Sequence, residues 1–461
     1  MAESSSPHLE RGLNLLHATS LNVANMLGAG PFISIPVLLG TMMGPQAMIG
    51  WGVALVIVIC DGLVWAELGA AFPGTGGTYH FLREIFKGSA WGRFLPFLFI
   101  WQFLISGTLE VASGYIGASK FTLSLMPGFS QWLASWGITR AETAIGVVAL
   151  VMIALVGLLL CQRIRSLGWL VTLLVAVVLG AVGTVIVLGF RNFNPELLHF
   201  PADAFHFDRK FLTGIGLATS VAIYDYLGYY NICSLGEEVR EPEKTIPRAV
   251  VISVFVVATL YVLMNFALLG VVPWQDALQE NTLAKDNIAG AFMQKLYGDR
   301  AATILTLFII WACLAGLFAM TLGYSRIVYA AAKNGDFFSF FARLHPTKGY
   351  PWAALLLLSG ITGAFCFLDL SMVIEGAVAV RILVQFIGQI FALHVVRREK
   401  KQPLPFRMWL YPLPSLLALI GWVLLLASTA GYLLSFIVII YGSGLLVFIV
   451  RDHFATPPQR T

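Results

Sequence analysis

Charge is what this 461-residue chain has least of. Asp, Glu, Lys and Arg together make up 11% of it, while 58% is hydrophobic and the mean hydropathy is +0.82. A soluble domain usually carries about 25% charged residues, so this much apolar surface cannot be hidden inside one water-soluble core. A bilayer is its natural solvent. No basic stretch is interleaved with aromatics to stack bases, so the net charge of +5 does not point to nucleic acid. Cysteine is sparse too. Cys60, Cys161, Cys233, Cys313 and Cys366 are odd in number, lie scattered in apolar runs and lack motif spacing, which argues against a disulfide framework or a zinc site. They read as small buried hydrophobes. There is no metal-ligand cluster, nucleophile elbow or phosphate loop, so neither an enzyme nor a cofactor is expected. Long polar stretches are also missing. MAESSSPHLERG opens the chain without a cleavable signal pattern, and the expected organisation is a cytoplasmic tail over 1–12, one membrane domain over 13–452 and a second tail over 453–461.

What is present is apolar sequence in membrane-length runs, rich in Phe, Trp, Tyr and Gly. Runs of roughly 20 residues or more fall near 13–40, 45–71, 92–120, 140–161, 167–190 and 210–236, then 247–272, 300–331, 351–367, 369–396, 408–428 and 430–450. Twelve spans put 20 of the 29 Lys and Arg on the side of the two termini and 8 on the other. The positive-inside bias therefore predicts a multi-pass protein of the cell membrane with both ends cytoplasmic.

Two spans are interrupted. The first carries Gly28-Ala29-Gly30-Pro31 at its middle, where glycine and proline disfavour a continuous helix and Pro31 suits the start of a second half-helix. The sixth reads IYDYLGYYN, with Asp225 and Gly228 in an apolar stretch. Spans one and six are corresponding members of two five-span repeats, and paired interruptions there mark a transporter site at the bilayer midplane. The alternative is ordinary glycine kinks at helix contacts.

These features resemble the amino acid–polyamine–organocation superfamily over nearly the whole chain. GAGPF resembles its first-span loop and AELGAAFPGTGGTYHFLREIFK (66–87) the end of its second span. GEEVREPEKTIPRA (236–249) is similar to its sixth-to-seventh loop and SRIVYAAAKNGDFF (325–338) to its eighth-span ending. The resemblance implies a leucine-transporter-type, all-α membrane fold: twelve helices, a 5+5 inverted repeat with discontinuous helices 1 and 6, and two additional C-terminal helices. SGTLEVA (106–112) and MVIEGA (372–377) resemble the polyamine-uptake branch, whereas YDYLGYY is closer to amino acid antiporters. The fifth span lacks the lysine that several proton-coupled or sodium-independent members place there.

Ionisable residues inside spans cost several kcal/mol and mark function by default. Asp61, Glu67, Glu110, Asp225, Glu375 and Arg381 fall there; five acids against one base suggest a cavity for cations. By the resemblance, Glu110 occupies a position that meets a substrate's distal basic group. It could also carry a coupling proton or make a structural hydrogen bond. Asp225 could bind an amine or cap freed backbone. Gly28, Ala29, Gly30 and Gly228 at the breaks, and Ser106 and Met320 by position, are further substrate-site candidates. The resemblance adds Asn25 near the site and Tyr224 as an aromatic that closes over substrate, whose ring could make a cation–π contact. Glu67, Arg83, Glu238 and Lys244 are expected in inner-gate salt bridges or loop structure, and Glu110, Tyr224, Glu67, Arg83 and Glu238 form the gating or coupling set. Arg381 could neutralise Glu110 or Asp225, and either pairing weakens the case for a cationic substrate. The leading expectation is alternating-access transport of a polyamine or cationic amino acid, with protons as a possible coupling ion. A carrier of neutral amino acids is the alternative, and a non-transporting amino acid sensor is a third reading.

Overall fold

The computed structural model describes residues 12–454 apart from 28–29, 138–139, 162–166, 281, 347, 349, 400–402 and 430. Among the described residues the chain is all-helical, with two isolated bridges and no strand. The helices are α1 Leu15–Met26, α2 Gly30–Met42, α3 Ile49–Ala71, α4 Thr78–Ile85, α5 Trp91–Leu125 and α6 Pro127–Ser135. They continue with α7 Ala141–Leu160, α8 Leu167–Arg191, α9 Arg209–Tyr226, α10 Pro242–Leu269, α11 Leu283–Asp286 and α12 Ile288–Tyr297. The last are α13 Asp299–Lys333, α14 Trp352–Phe365, α15 Leu370–Ala379, α16 Gly388–Glu399, α17 Leu413–Ser428 and α18 Gly431–Phe454.

Where twelve spans are expected from the sequence, seven helical stretches among the described residues are long and apolar enough to cross a membrane. Four shorter apolar helices accompany them. Two of the five differences come from the interruptions, and two more from the short α14 and α17. The first expected span is two short helices, and the sixth is helical only to Tyr226 before turning non-helical, so neither presents one long apolar helix. Large side chains on outer faces, among them Leu155, Leu158 and Leu159 of α7 and Leu307, Phe308 and Trp311 of α13, are exposed. That is the surface a bilayer covers, and the chain is a multi-pass membrane protein.

α3 lies at the centre, packed against α9, α10 and α17, while α5 packs against α13, α14 and α15. The N-cap carboxylate of Asp208 accepts from Phe211 N–H at 2.7 Å to start α9, and Asp369 starts α15 in the same way through Ser371 N–H at 2.8 Å. Past Arg381, Ile382–Ile387 form a π-helical stretch between α15 and α16, a local widening often found at functional sites.

Candidate functional site

The ends of the interrupted helices meet. Tyr261 of α10 places its hydroxyl within bonding distance of the carbonyl of Met26, which ends α1, and 2.9 Å from the carbonyl of Asp225 at the end of α9. One buried phenol thus serves both helix termini, whose last carbonyls have no partner within their own helices. Asn22 of α1 does the same for the turn and short 3-10 helix beyond α9. Its amide donates to the Tyr229 carbonyl at 2.6 Å, and its side-chain oxygen accepts from Ile232 N–H at 3.0 Å. Gly228 sits at φ +111°, which favours glycine, and a Cβ there would lie 2.8 Å from Asn25 Cβ. Polar backbone at membrane depth is thereby satisfied from protein, as it must be.

The carboxylate of Asp225 bridges the two interruptions. Ser34 of α2 donates to its Oδ2, whereas Oδ1 is buried and has no hydrogen-bond partner among the described residues. Gly30, the first residue of α2, is where that oxygen packs: a Cβ at Gly30 would stand 2.5 Å from Asp225 Oδ1. The cavity beside them has a volume of about 30 Å³, room for a water or two and much less than an amino acid. Six residues singled out in the sequence line it: Asn25, Gly30, Glu110, Tyr224, Asp225 and Met320. Met26, Gly114, Leu227, Cys313, Gly316 and Leu317 complete an otherwise apolar wall. Tyr224 is held by Ser113, its hydroxyl 2.6 Å from Ser113 Oγ, which donates in turn to the Glu110 carbonyl at 2.5 Å.

Arg381 settles on Glu110, not on Asp225. Its Nη2 donates to Glu110 Oε2 at 2.5 Å and its Nη1 to the Tyr230 hydroxyl at 3.0 Å, with Tyr324 also donating to Glu110 Oε2. Arg381 is 1% exposed and Glu110 6%. Arg381 Nε is left without a partner, and no hydrogen bond among the described residues reaches Glu110 Oε1. Net, the acidic lining is one carboxylate, Asp225, plus one internally compensated pair.

Other sequence candidates lie elsewhere. Ser106 donates to Gln102 one turn back, at 3.1 Å, and is not part of the cavity wall. Gly28 and Ala29 lie outside the described residues. Glu67 does not meet Arg83, Glu238 or Lys244. It takes a two-pronged bond from Arg397 at 2.7 and 2.6 Å, together with Met408 N–H at 2.8 Å, and Arg397 stacks 3.8 Å above the Tyr411 ring. Arg83 pairs instead with Asp336 at 2.9 Å, where Tyr79 also donates at 2.6 Å. Glu238 stands 3.9 Å from Arg326, and Lys244 binds Glu241. Burial, and then the Asp336 carboxylate, push the Tyr79 phenol above its ordinary range. Burial pulls the His80 imidazole down from its ordinary value. Ser34, Ser113, Tyr230, Tyr261 and Tyr324 are site residues that sequence reasoning did not find, because a Ser or Tyr in an apolar helix has no local mark of its distant partner.

A family profile described as "Amino acid permease" matches residues 13–450. The chain is 28% identical over 400 residues to human cationic amino acid transporter 4, covering 86% of this chain and 61% of that protein. It is 25% identical to the serine/threonine exchanger SteT of Bacillus subtilis, over 91% of each. It is 26% identical to the human cystine/glutamate transporter, over 78% of this chain and 68% of that one. The chain thus spans about three fifths of the length of the cationic relative.

Proposed function

The chain belongs to the amino acid permease family, within the amino acid–polyamine–organocation superfamily, and we propose that it is a secondary transporter of neutral amino acids working by alternating access. The observation that carries this reading is the Glu110–Arg381 pair beside a lone Asp225. A substrate ammonium group would face Asp225 Oδ1 and the C-terminal end of α9, where the helix dipole is negative. Its carboxylate would face the N-terminal start of α2 near Gly30, where free N–H groups favour an anion. Its side chain would lie along Gly114, Cys313, Leu317 and Met320.

Charge arithmetic favours a neutral side chain. To take a second cationic group at Glu110, the site would have to loosen Arg381, and an uncompensated buried charge costs about 3–5 kcal/mol. A cationic amino acid is the second reading. It is favoured by Glu110 Oε1, which no described group bonds, and by the similarity to a cationic amino acid transporter. The cavity is too small for either substrate without movement, so Tyr224 and the α2 start are the walls we propose to part during transport. The topology we propose is the twelve-span one, a 5+5 inverted repeat with two further helices and both termini cytoplasmic. Counterflow of labelled alanine, serine, leucine, lysine and putrescine in proteoliposomes tests the reading. Exchange of the neutral substrates supports it; exchange restricted to lysine or putrescine overturns the neutral assignment.

A further inference from the structure

Asp61 is a buried acid that the substrate site does not use. It sits midway along α3, 1% exposed, among apolar neighbours. Two groups hold it: Tyr229 donates its hydroxyl to Oδ2 at 2.5 Å and Trp422 of α17 its indole N–H to Oδ1 at 3.1 Å. Both donors are neutral, and no Lys, Arg or His among the described residues pairs with Asp61. Glu67 and Glu110 are unlike it, being matched by Arg397 and Arg381, whereas Asp225 shares its lack of a basic partner. Titratable groups facing Asp61 are its neighbour Cys60 on α3 and Tyr229 from beyond α9. From α17 comes Trp422, and from α10 the apolar Val250, which packs one residue away at Gly62.

Two observations separate this carboxyl from a plain structural hydrogen bond. Two donors on two separate oxygens suit the ionised acid, because an amide has one acceptor oxygen and would turn its NH2 toward the second donor. The partners are also mechanically placed. Tyr229 lies in the non-helical segment that follows α9, and its own carbonyl is held by Asn22 of α1. Trp422 stacks face to face on Phe386, centroids 3.9 Å apart, inside the π-helical stretch that starts beside Arg381. Asp61 therefore bonds the segment after α9 directly and reaches the π-helical stretch through Trp422.

We propose that Asp61 is a proton-binding site that loads and releases one proton in the transport cycle, and that Tyr229 carries its charge state to the broken helix. This rests on the transporter reading. Ionised, the carboxylate accepts from both neighbours. A proton arriving from bulk water adds to Oδ2, the Trp422 N–H remains on Oδ1 because indole can only donate, and Tyr229 turns from donor to acceptor. Releasing the proton to water on the other side restores the first arrangement. The site gives the protein a coupling proton without drawing on Glu110, whose charge Arg381 already answers.

The test uses the full-length reconstituted protein and two variants, Asp61→Asn and Tyr229→Phe. Counterflow at equal pH on both sides reports substrate exchange, and uptake under an inward proton gradient reports coupling. The expected result is that Asp61→Asn keeps counterflow and loses stimulation by the gradient. Tyr229→Phe is expected to move the pH midpoint of uptake up by about one unit, because a hydrogen bond to the charged form is lost. Gradient stimulation of Asp61→Asn equal to wild type, or an unmoved midpoint in Tyr229→Phe, overturns the proposal. If Asp61→Asn does not assemble, Tyr229→Phe decides. If wild type shows no counterflow, the transporter reading fails, and infrared titration of the purified protein still reads the site. A protonated-carboxyl band lost on Asp61→Asn supports proton binding there, and a band that persists overturns it.

Discussion

Arg381 Nη2 lies 2.5 Å from Glu110 Oε2, joining the segment after α15 to α5 inside the bundle. Each charge is buried and each answers the other. Removing one alone leaves the other stranded, at a cost of about 3–5 kcal/mol. Glu110→Gln and Arg381→Met should each lower thermal stability in detergent by that order. The double variant should recover most of the loss, since the stranded charge is gone. A loss in the double variant equal to the sum of the two single losses would show that the pair is not coupled.

Gly30 and Asp225 define the second prediction. A methyl at Gly30 would approach Asp225 Oδ1 to 2.5 Å, so Gly30→Ala should displace the carboxylate and sharply reduce substrate binding. Overpacking of this kind costs about 1–3 kcal/mol, small enough for the protein to remain assembled. Size-exclusion profiles and ligand-induced thermal shifts measured on the same sample check both halves of this statement.

Tyr261 serves the carbonyl ends of α1 and α9 with one hydroxyl. Tyr261→Phe preserves the ring and removes the donor, leaving buried acceptors unpaired at about 1–3 kcal/mol. A drop of that size in unfolding free energy is expected, along with faster hydrogen exchange at the two helix ends. Unchanged exchange there would mean that the ends are held by other groups.

His80 provides a pH dependence outside the spans. Burial depresses its folded value, so the neutral ring is the one the fold accommodates. The stability it contributes is present above the unfolded value of about 6.5 and is lost as pH falls through the lower folded value. Thermal unfolding from pH 7 down to 5 should therefore show an acid loss that His80→Gln reduces. The same slope in the variant would assign the loss to other groups.

How much of this was legible in the sequence follows from which interactions are local. Gly30, Pro31 and Asp225 announce themselves, because glycine, proline and an acid in apolar runs break a helix or mark polar depth. Gly30, Glu110 and Asp225 line one cavity with Asn25, Tyr224 and Met320, which the family resemblance and their position singled out. Arg381 could be seen as a threat to the cationic reading, but its partner lies 271 positions away and no spacing rule connects them. The same holds for Glu67, whose partner Arg397 is 330 positions distant, while the nearer loop charges Arg83 and Glu238 pair with Asp336 and Arg326. The π-helical stretch at Ile382–Ile387 has no local breaker to betray it, being held by packing such as Phe386 on Trp422.

On the proposed reading Asp225 is the one uncompensated carboxylate available to a substrate, because Arg381 already answers Glu110. Calorimetric binding of a neutral amino acid panel, lysine and putrescine to purified wild type and Asp225→Asn tests it most directly. The account predicts that neutral amino acids bind to wild type, that lysine and putrescine bind more weakly, and that Asp225→Asn loses the neutral ligands. Tight binding of lysine or putrescine with no binding of the neutral panel, or neutral binding unaffected by Asp225→Asn, would contradict it.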